Sequence, residues 1–174
     1  MKTKQLAIDA MLAAMCAVLG YAALDMNSIK ITFESLPVLL GAVLFGPVDG
    51  MLIGGIGTLI YQLLRYGVSA TTLLWILPYV VCGLIVGSVS KIKKFSLSQV
   101  QTVVLVVVTE LVITALNTGV IYVDSKLYGW YYPALIYGSL GIRLVVCVVK
   151  AVVFGSVLPW LVQTVRRVVF HSAS

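Results

Sequence analysis

Apolar residues fall in long blocks along this chain, separated by short polar segments. A membrane helix needs roughly 20 mostly apolar residues to cross about 30 Å of hydrocarbon. The blocks predict six spans, at about 6–24, 36–45, 51–64, 71–89, 99–123 and 133–165. Between the first two, residues 25–35 alternate apolar and polar, which predicts an extended or hairpin-like piece. The second and third spans are short and glycine-rich. The turn Gly46-Pro47-Val48-Asp49-Gly50 separates them, because glycine and proline break helices. These two spans are expected to tilt, to kink or to sit partly inside the bundle. The resulting expectation is an all-α integral membrane protein: six transmembrane helices in one bundle, with residues 1–174 as a single membrane domain.

Composition agrees. Of 174 residues, 61% are hydrophobic and 10% charged, against about 25% charged in soluble domains. So few polar residues cannot cover a water-facing surface. A net charge of +6 would fit a nucleic-acid binder, but the placement of the charges fits membrane topology instead. Lys2, Lys4, Lys91, Lys93, Lys94, Arg166 and Arg167 fall on one side of a six-span topology; Lys30, Arg65 and Lys126 fall on the other. The positive-inside rule then puts both termini in the cytoplasm. Loops 25–35, 65–70 and 124–131 face outward, and Tyr128, Trp130 and Tyr131 fit an interfacial belt. The basic start leading into an apolar stretch has the outline of a signal peptide. Asp9 inside that stretch, the lack of a clear cleavage site and the later spans argue against it.

Chemistry for catalysis is sparse. Cys16, Cys82 and Cys147 lie in apolar runs without a CxxC pair and read as small buried hydrophobes, with no disulfide framework or metal site. With one terminal histidine, His171, a Ser/His/Asp arrangement is not expected. No GxxxxGK[ST] loop is present, so uphill transport driven by ATP would need an ATPase on another chain.

Ionisable residues deep in a membrane mark functional positions by default. Glu110 lies about 13 residues inside the outer end of span five, and Arg143 about ten inside that of span six. At roughly 1.5 Å per residue they sit at similar depth and are expected to pair, either as structure alone or as the floor of a binding site. Lys150 is expected to snorkel toward the cytoplasmic face. Thr114 and Asn117 share a face with Glu110, which suits the bundle interior. The segment from Tyr61 to Tyr79 holds Arg65, Tyr66, Thr72, Trp75 and Tyr79. An arginine, hydroxyls and aromatic rings at an outer mouth suit a flat heterocycle carrying carboxylates; an interfacial anchor with a solvated loop would leave the same trace. On the first span, Ala10, Ala13, Ala14 and Ala17 form a strip of small residues that lets another helix approach closely, from this chain or a partner.

These features resemble the substrate-binding S-component of energy-coupling factor (ECF) vitamin transporters, over nearly the whole chain. Phe33-Glu34-Ser35-Leu36-Pro37, then Leu44-Phe45-Gly46-Pro47 and the glycine-rich third span, are similar to folate-type S-components. So are Tyr66-Gly67, Thr71-Thr72-Leu-Leu-Trp75-Ile-Leu-Pro78, and Asn117-Thr118 followed by Tyr122. The resemblance implies a non-enzymatic subunit of a bacterial plasma membrane. It captures one vitamin at the outer face and docks through the alanine strip on a membrane-embedded coupling protein (T-component) tied to two cytosolic ATPases. Loops 25–35 and 65–70 gate its pocket. It implies neither a cofactor nor a nucleic-acid partner.

For folate, Trp75, Tyr66 and Tyr137 are expected to line the pterin and aminobenzoyl rings. Asn117 and Thr72 would bond the pterin edge, Arg65 or Lys30 would meet the glutamate carboxylates, and Arg143 and Glu110 would order the floor. Riboflavin, a thiamine precursor or pantothenate is the near alternative. An independent secondary transporter, which would show inverted repeats, is the distant one.

Overall fold

The computed structural model describes residues 2–26 and 29–171. Six helices and one hairpin follow in order: α1 (Lys2–Tyr21), β1 (Leu24–Met26), β2 (Ile29–Ile31), α2 (Ser35–Phe45), α3 (Pro47–Tyr66), α4 (Thr72–Ile92), α5 (Gln99–Leu127) and α6 (Pro133–His171). The all-α, six-helix expectation holds, with the alternating segment forming the two-stranded addition. Its strands pair antiparallel, Leu24 opposite Ile31 and Met26 opposite Ile29.

Among the described residues, five helices are long and apolar enough to cross a membrane: α1, α3, α4, α5 and α6. The sixth, α2, has 11 residues, about 16 Å of rise, so it cannot cross alone. It is enclosed instead: nine of its 11 residues are buried, packed by α1, α3, α4 and α6. Residues 32–34 lead down from the hairpin into the bundle, and α2 completes the descent. That is how a run of ten apolar residues sits among spans twice its length.

Glycine sets the tightest crossing. Gly50 on α3 meets Gly83 on α4, Gly54 meets the backbone at Tyr79, and Gly87 meets Gly46 and Pro47. A Cβ added at Gly83 would come within 2.3 Å of the Gly50 carbonyl carbon, and one at Gly87 within 2.3 Å of the Pro47 nitrogen. Two small-xxx-small strips thus bring two backbones into contact, as helices in lipid prefer. Gly57 does the same toward α1, where an added Cβ would meet Ala13 and Cys16.

α5 opens with a reciprocal capping box between Ser98 and Gln101. The α4–α5 turn is tied to α6 by the Arg166 guanidinium, which donates to the Phe95 carbonyl. This end of the bundle carries Lys91, Lys93 and Lys94; the other carries the hairpin and the loops after α3 and α5. Between them lies an apolar core that includes Leu39, Ile53, Val86, Val106, Phe154 and Leu158. Large apolar side chains also face outward, among them Met11, Val18, Leu73, Val148 and Val152. That surface suits hydrocarbon as its solvent, as the composition requires.

Candidate functional site

The antiparallel pair α5–α6 builds one wall. Glu110 lies 17 residues before Leu127 at the end of α5, and Lys150 lies 17 residues after Pro133 at the start of α6. At 1.5 Å per residue both are about 25 Å along their helices. They meet there: Lys150 Nζ is 2.7 Å from Glu110 Oε2. The Ser35 hydroxyl, at the head of α2, donates to Glu110 Oε1 at 2.7 Å. Three elements are thereby pinned at one point inside the bundle.

This corrects two expectations. Glu110 does not pair with Arg143, and Lys150 does not snorkel away. The depth estimate failed because α5 continues to Leu127, four residues past the anticipated end of its span. The register of the pair shifts by about one turn, which brings Lys150 level with Glu110 and leaves Arg143 level with Asn117.

Above this point lies a cavity of about 770 Å³. Along α5 its lining residues are Glu110, Ile113, Thr114, Asn117, Ile121 and Asp124, a helical stripe of threes and fours. Along α6 they are Arg143, Val146, Cys147 and Lys150. The opposite wall is aromatic: Tyr61 and Tyr66 from α3, Trp75 and Tyr79 from α4. Tyr61 and Tyr66 meet edge to face, with ring centroids 6.0 Å apart. Thr32 and Glu34, on the stretch descending from the hairpin, close one side. Glu34 Oε1 accepts from the Tyr79 hydroxyl, and from the Thr32 hydroxyl at 3.0 Å. Glu34 Oε2 is buried and has no hydrogen-bond partner among the described residues.

At the mouth, the loop after α3 is tied to the end of α5. The Thr71 hydroxyl donates to Asp124, and Ala70 N donates to the Tyr128 hydroxyl at 3.3 Å. Tyr128, Trp130 and Tyr132 line the cavity here, so two of the three residues read as an interfacial belt also form its rim, while Tyr131 does not.

Of the nine anticipated ligand residues, five line this cavity: Tyr66, Trp75, Glu110, Asn117 and Arg143. Arg65, Thr72 and Tyr137 do not. Arg65 Nη1 donates instead to the Tyr21 carbonyl at the end of α1, 3.0 Å away, where a cation suits the helix C-terminus. The Thr72 hydroxyl accepts from Ser69 N at 2.9 Å, so the loop entering α4 occupies it. Tyr137 is 72% exposed, because it lies off the α6 stripe that starts at Arg143. Lys30 sits opposite Asp25 in the hairpin, and its side chain lies outside those described. The alanine strip divides: Ala13 and Ala17 are buried in the bundle, while Ala10 and Ala14 face outward.

Glu34, Thr71, Asp124 and Lys150 were not anticipated as lining residues, whereas Tyr79, part of the aromatic segment, does line the cavity. The helical repeat on α5 points to Asp124, and the i, i+3, i+4, i+7 repeat from Arg143 points to Lys150. Nothing local marks Glu34, because only the descent of the hairpin brings it inside.

The sequence matches the family described as "ECF transporter, substrate-specific component" over residues 4–162. The chain belongs to that family. S-components are non-enzymatic transport subunits that partner with a T-component and ATPases, so this is a multi-pass protein of the cell membrane. No curated protein matches the chain. Among solved structures, the fold is similar to the S component of a bacterial ECF transporter, at 21% identity and a TM-score of 0.69, covering 96% of this chain and 100% of that one. At that identity the likeness concerns the fold.

Proposed function

We propose that this S-component captures folate in the cavity, for uptake by an ECF transporter. The observation that carries the reading is an open-mouthed cavity of about 770 Å³ with aromatic rings on one wall and polar groups on the facing helices. Binding sites for small organic molecules have this character: mostly apolar, with a few placed polar groups. Trp75 and Tyr66 offer faces to flat rings. Glu34 lines the cavity, and a carboxylate suits the N–H donors along a pterin edge. The Glu110–Lys150 pair holds the floor together.

In this reading the whole chain acts as one membrane domain, with its basic end in the cytoplasm by the positive-inside rule and the cavity mouth outside. The loops 67–71 and 128–132 and the hairpin are the gate. Docking on the T-component uses the outward face of α1, where Ala10 and Ala14 leave a shallow strip between Met11, Met15 and Val18. The ATPases are two in number and reach this subunit only through the T-component.

Calorimetric titration of the purified chain with folate is the test. The expected result is tight one-to-one binding, weakened about tenfold or more in Trp75→Ala by the loss of a stacking ring. A well-folded chain that ignores folate removes the vitamin assignment. Unchanged affinity in Trp75→Ala removes the stacking role.

A further inference from the structure

Arg143 stands out among the charged groups around the cavity. Glu110 and Lys150 neutralise each other at 2.7 Å. Asp124 accepts from Thr71, and Glu34 from Tyr79 and Thr32. The Arg143 guanidinium makes one hydrogen bond among the described residues, from Nε to the Ser139 hydroxyl at 3.0 Å. It has no ion-pair partner there, and its two Nη groups are uncommitted. Ser139 is 6% exposed and is anchored in turn by donating to the Ile136 carbonyl at 3.3 Å. The serine therefore holds the guanidinium plane from one side and leaves its outer edge toward the cavity.

The facing position is also uncommitted. Asn117 lies ten residues before Leu127, and Arg143 lies ten residues after Pro133, so the two share a level about 15 Å along their helices. Both line the cavity. The neighbouring hydroxyls of α5 are used up internally: Thr114 donates to the Glu110 carbonyl and Thr118 to the Thr114 carbonyl. No hydrogen bond of the Asn117 amide occurs among the described residues. A guanidinium held this deep without a counter-ion is costly, and an anion supplied by the ligand offsets that cost. Arginine takes a carboxylate through two parallel N–H donors, and an asparagine N–H can add a third.

We infer that Arg143, held by Ser139 and assisted by Asn117, is the anchor for a carboxylate of the substrate, and that this S-component selects carboxylate-bearing vitamins over neutral or cationic ones. The inference rests on the reading of this cavity as the capture site, and it deepens the folate proposal by moving the anionic end of the ligand from the mouth to mid-depth. Lys150 does not compete for the role, because its charge is already met by Glu110. Ser139 is a positioning residue: it acts through the arginine.

The test titrates the full chain in lipid nanodiscs with two matched pairs, folate against its diamide and pantothenate against pantothenol, together with riboflavin and thiamine. The expected result is that the tightest binder carries a carboxylate and that its uncharged counterpart binds roughly 10- to 100-fold more weakly, the range for a charge-assisted hydrogen-bond pair. Arg143→Gln abolishes that discrimination. Arg143→Lys keeps the charge, loses the fork and retains only part of it. Ser139→Ala reduces it less than Arg143→Gln does, and affinity for the uncharged counterpart stays as in the parent.

The inference is overturned if no carboxylate in the panel binds, if riboflavin or thiamine binds tightest, or if Arg143→Lys discriminates as well as the parent. Pantothenate binding without folate binding overturns the folate assignment and leaves the anchor standing.

Discussion

Buried charge in this protein is handled residue by residue. Glu110 is 1% exposed, and it is tolerable there because the Lys150 ammonium and the Ser35 hydroxyl each serve one of its oxygens. Removing one partner of such a pair strands the other, at a cost of about 3–5 kcal/mol. Lys150→Met should therefore lower thermal stability in detergent sharply. The double change Lys150→Met with Glu110→Gln should recover much of the loss, because no unpaired charge remains. A double variant as unstable as Lys150→Met would show that packing around Lys150, and not the charge, was lost. In the sequence, Glu110 was legible as a deep charge in an apolar run, but its partner was not. Two cations, Arg143 and Lys150, lie on α6 between its start and Arg166, and only the true end of α5 decides which one is level with Glu110.

At the scale of elements, the α3–α4 crossing depends on the absence of side chains. Gly83 lies so close to the Gly50 carbonyl that an added methyl has no room. Both contacting groups are backbone, so neither can swing aside. Gly83→Ala should push the helices apart and destabilise the bundle by about 1–3 kcal/mol, read as a lower midpoint of thermal unfolding. Gly67→Ala offers open space in contrast, though at a positive φ of 72°, so its cost is confined to the turn. The glycine-rich third span was legible in the sequence, and its glycines serve contacts within this chain. The two strands were legible from the alternation at 25–35. The enclosure of α2 was legible only as shortness: its hydrophobicity would suit a lipid-facing or a buried helix equally.

On the scale of the molecule, α1 has two faces with different work. Ala13 and Ala17 are buried, with Ala13 against Gly57 of α3, while Leu6, Met11, Met15 and Val18 remain exposed beside Ala10 and Ala14. If the outward face docks on the T-component as proposed, Ala14→Trp should abolish assembly and uptake while vitamin binding by the isolated subunit stays as in the parent. Co-purification with the T-component, paired with calorimetry on the subunit alone, reads both. Loss of vitamin binding together with assembly would assign Ala14 to internal packing. An equivalent bulky change at Ala13 should impair folding itself, because that position already touches another helix of the same chain.

The sequence by itself determined the solvent of this protein, the number of its helices, their ends to within about six residues, the hairpin between the first two and the family. Those properties follow from local runs of apolar residues, from glycine and proline at turns and from a motif of contiguous residues. Only the tertiary structure decided which polar side chains share a cavity. Helix register is set by where α5 and α6 end and by how the hairpin descends, and Arg143 and Lys150, seven residues or about two turns apart, are told apart as partners of Glu110 only by that register. Glu34 reaches the interior through a backbone path with no local signature, and Arg65 and Thr72 are spent on backbone groups that come near only after folding.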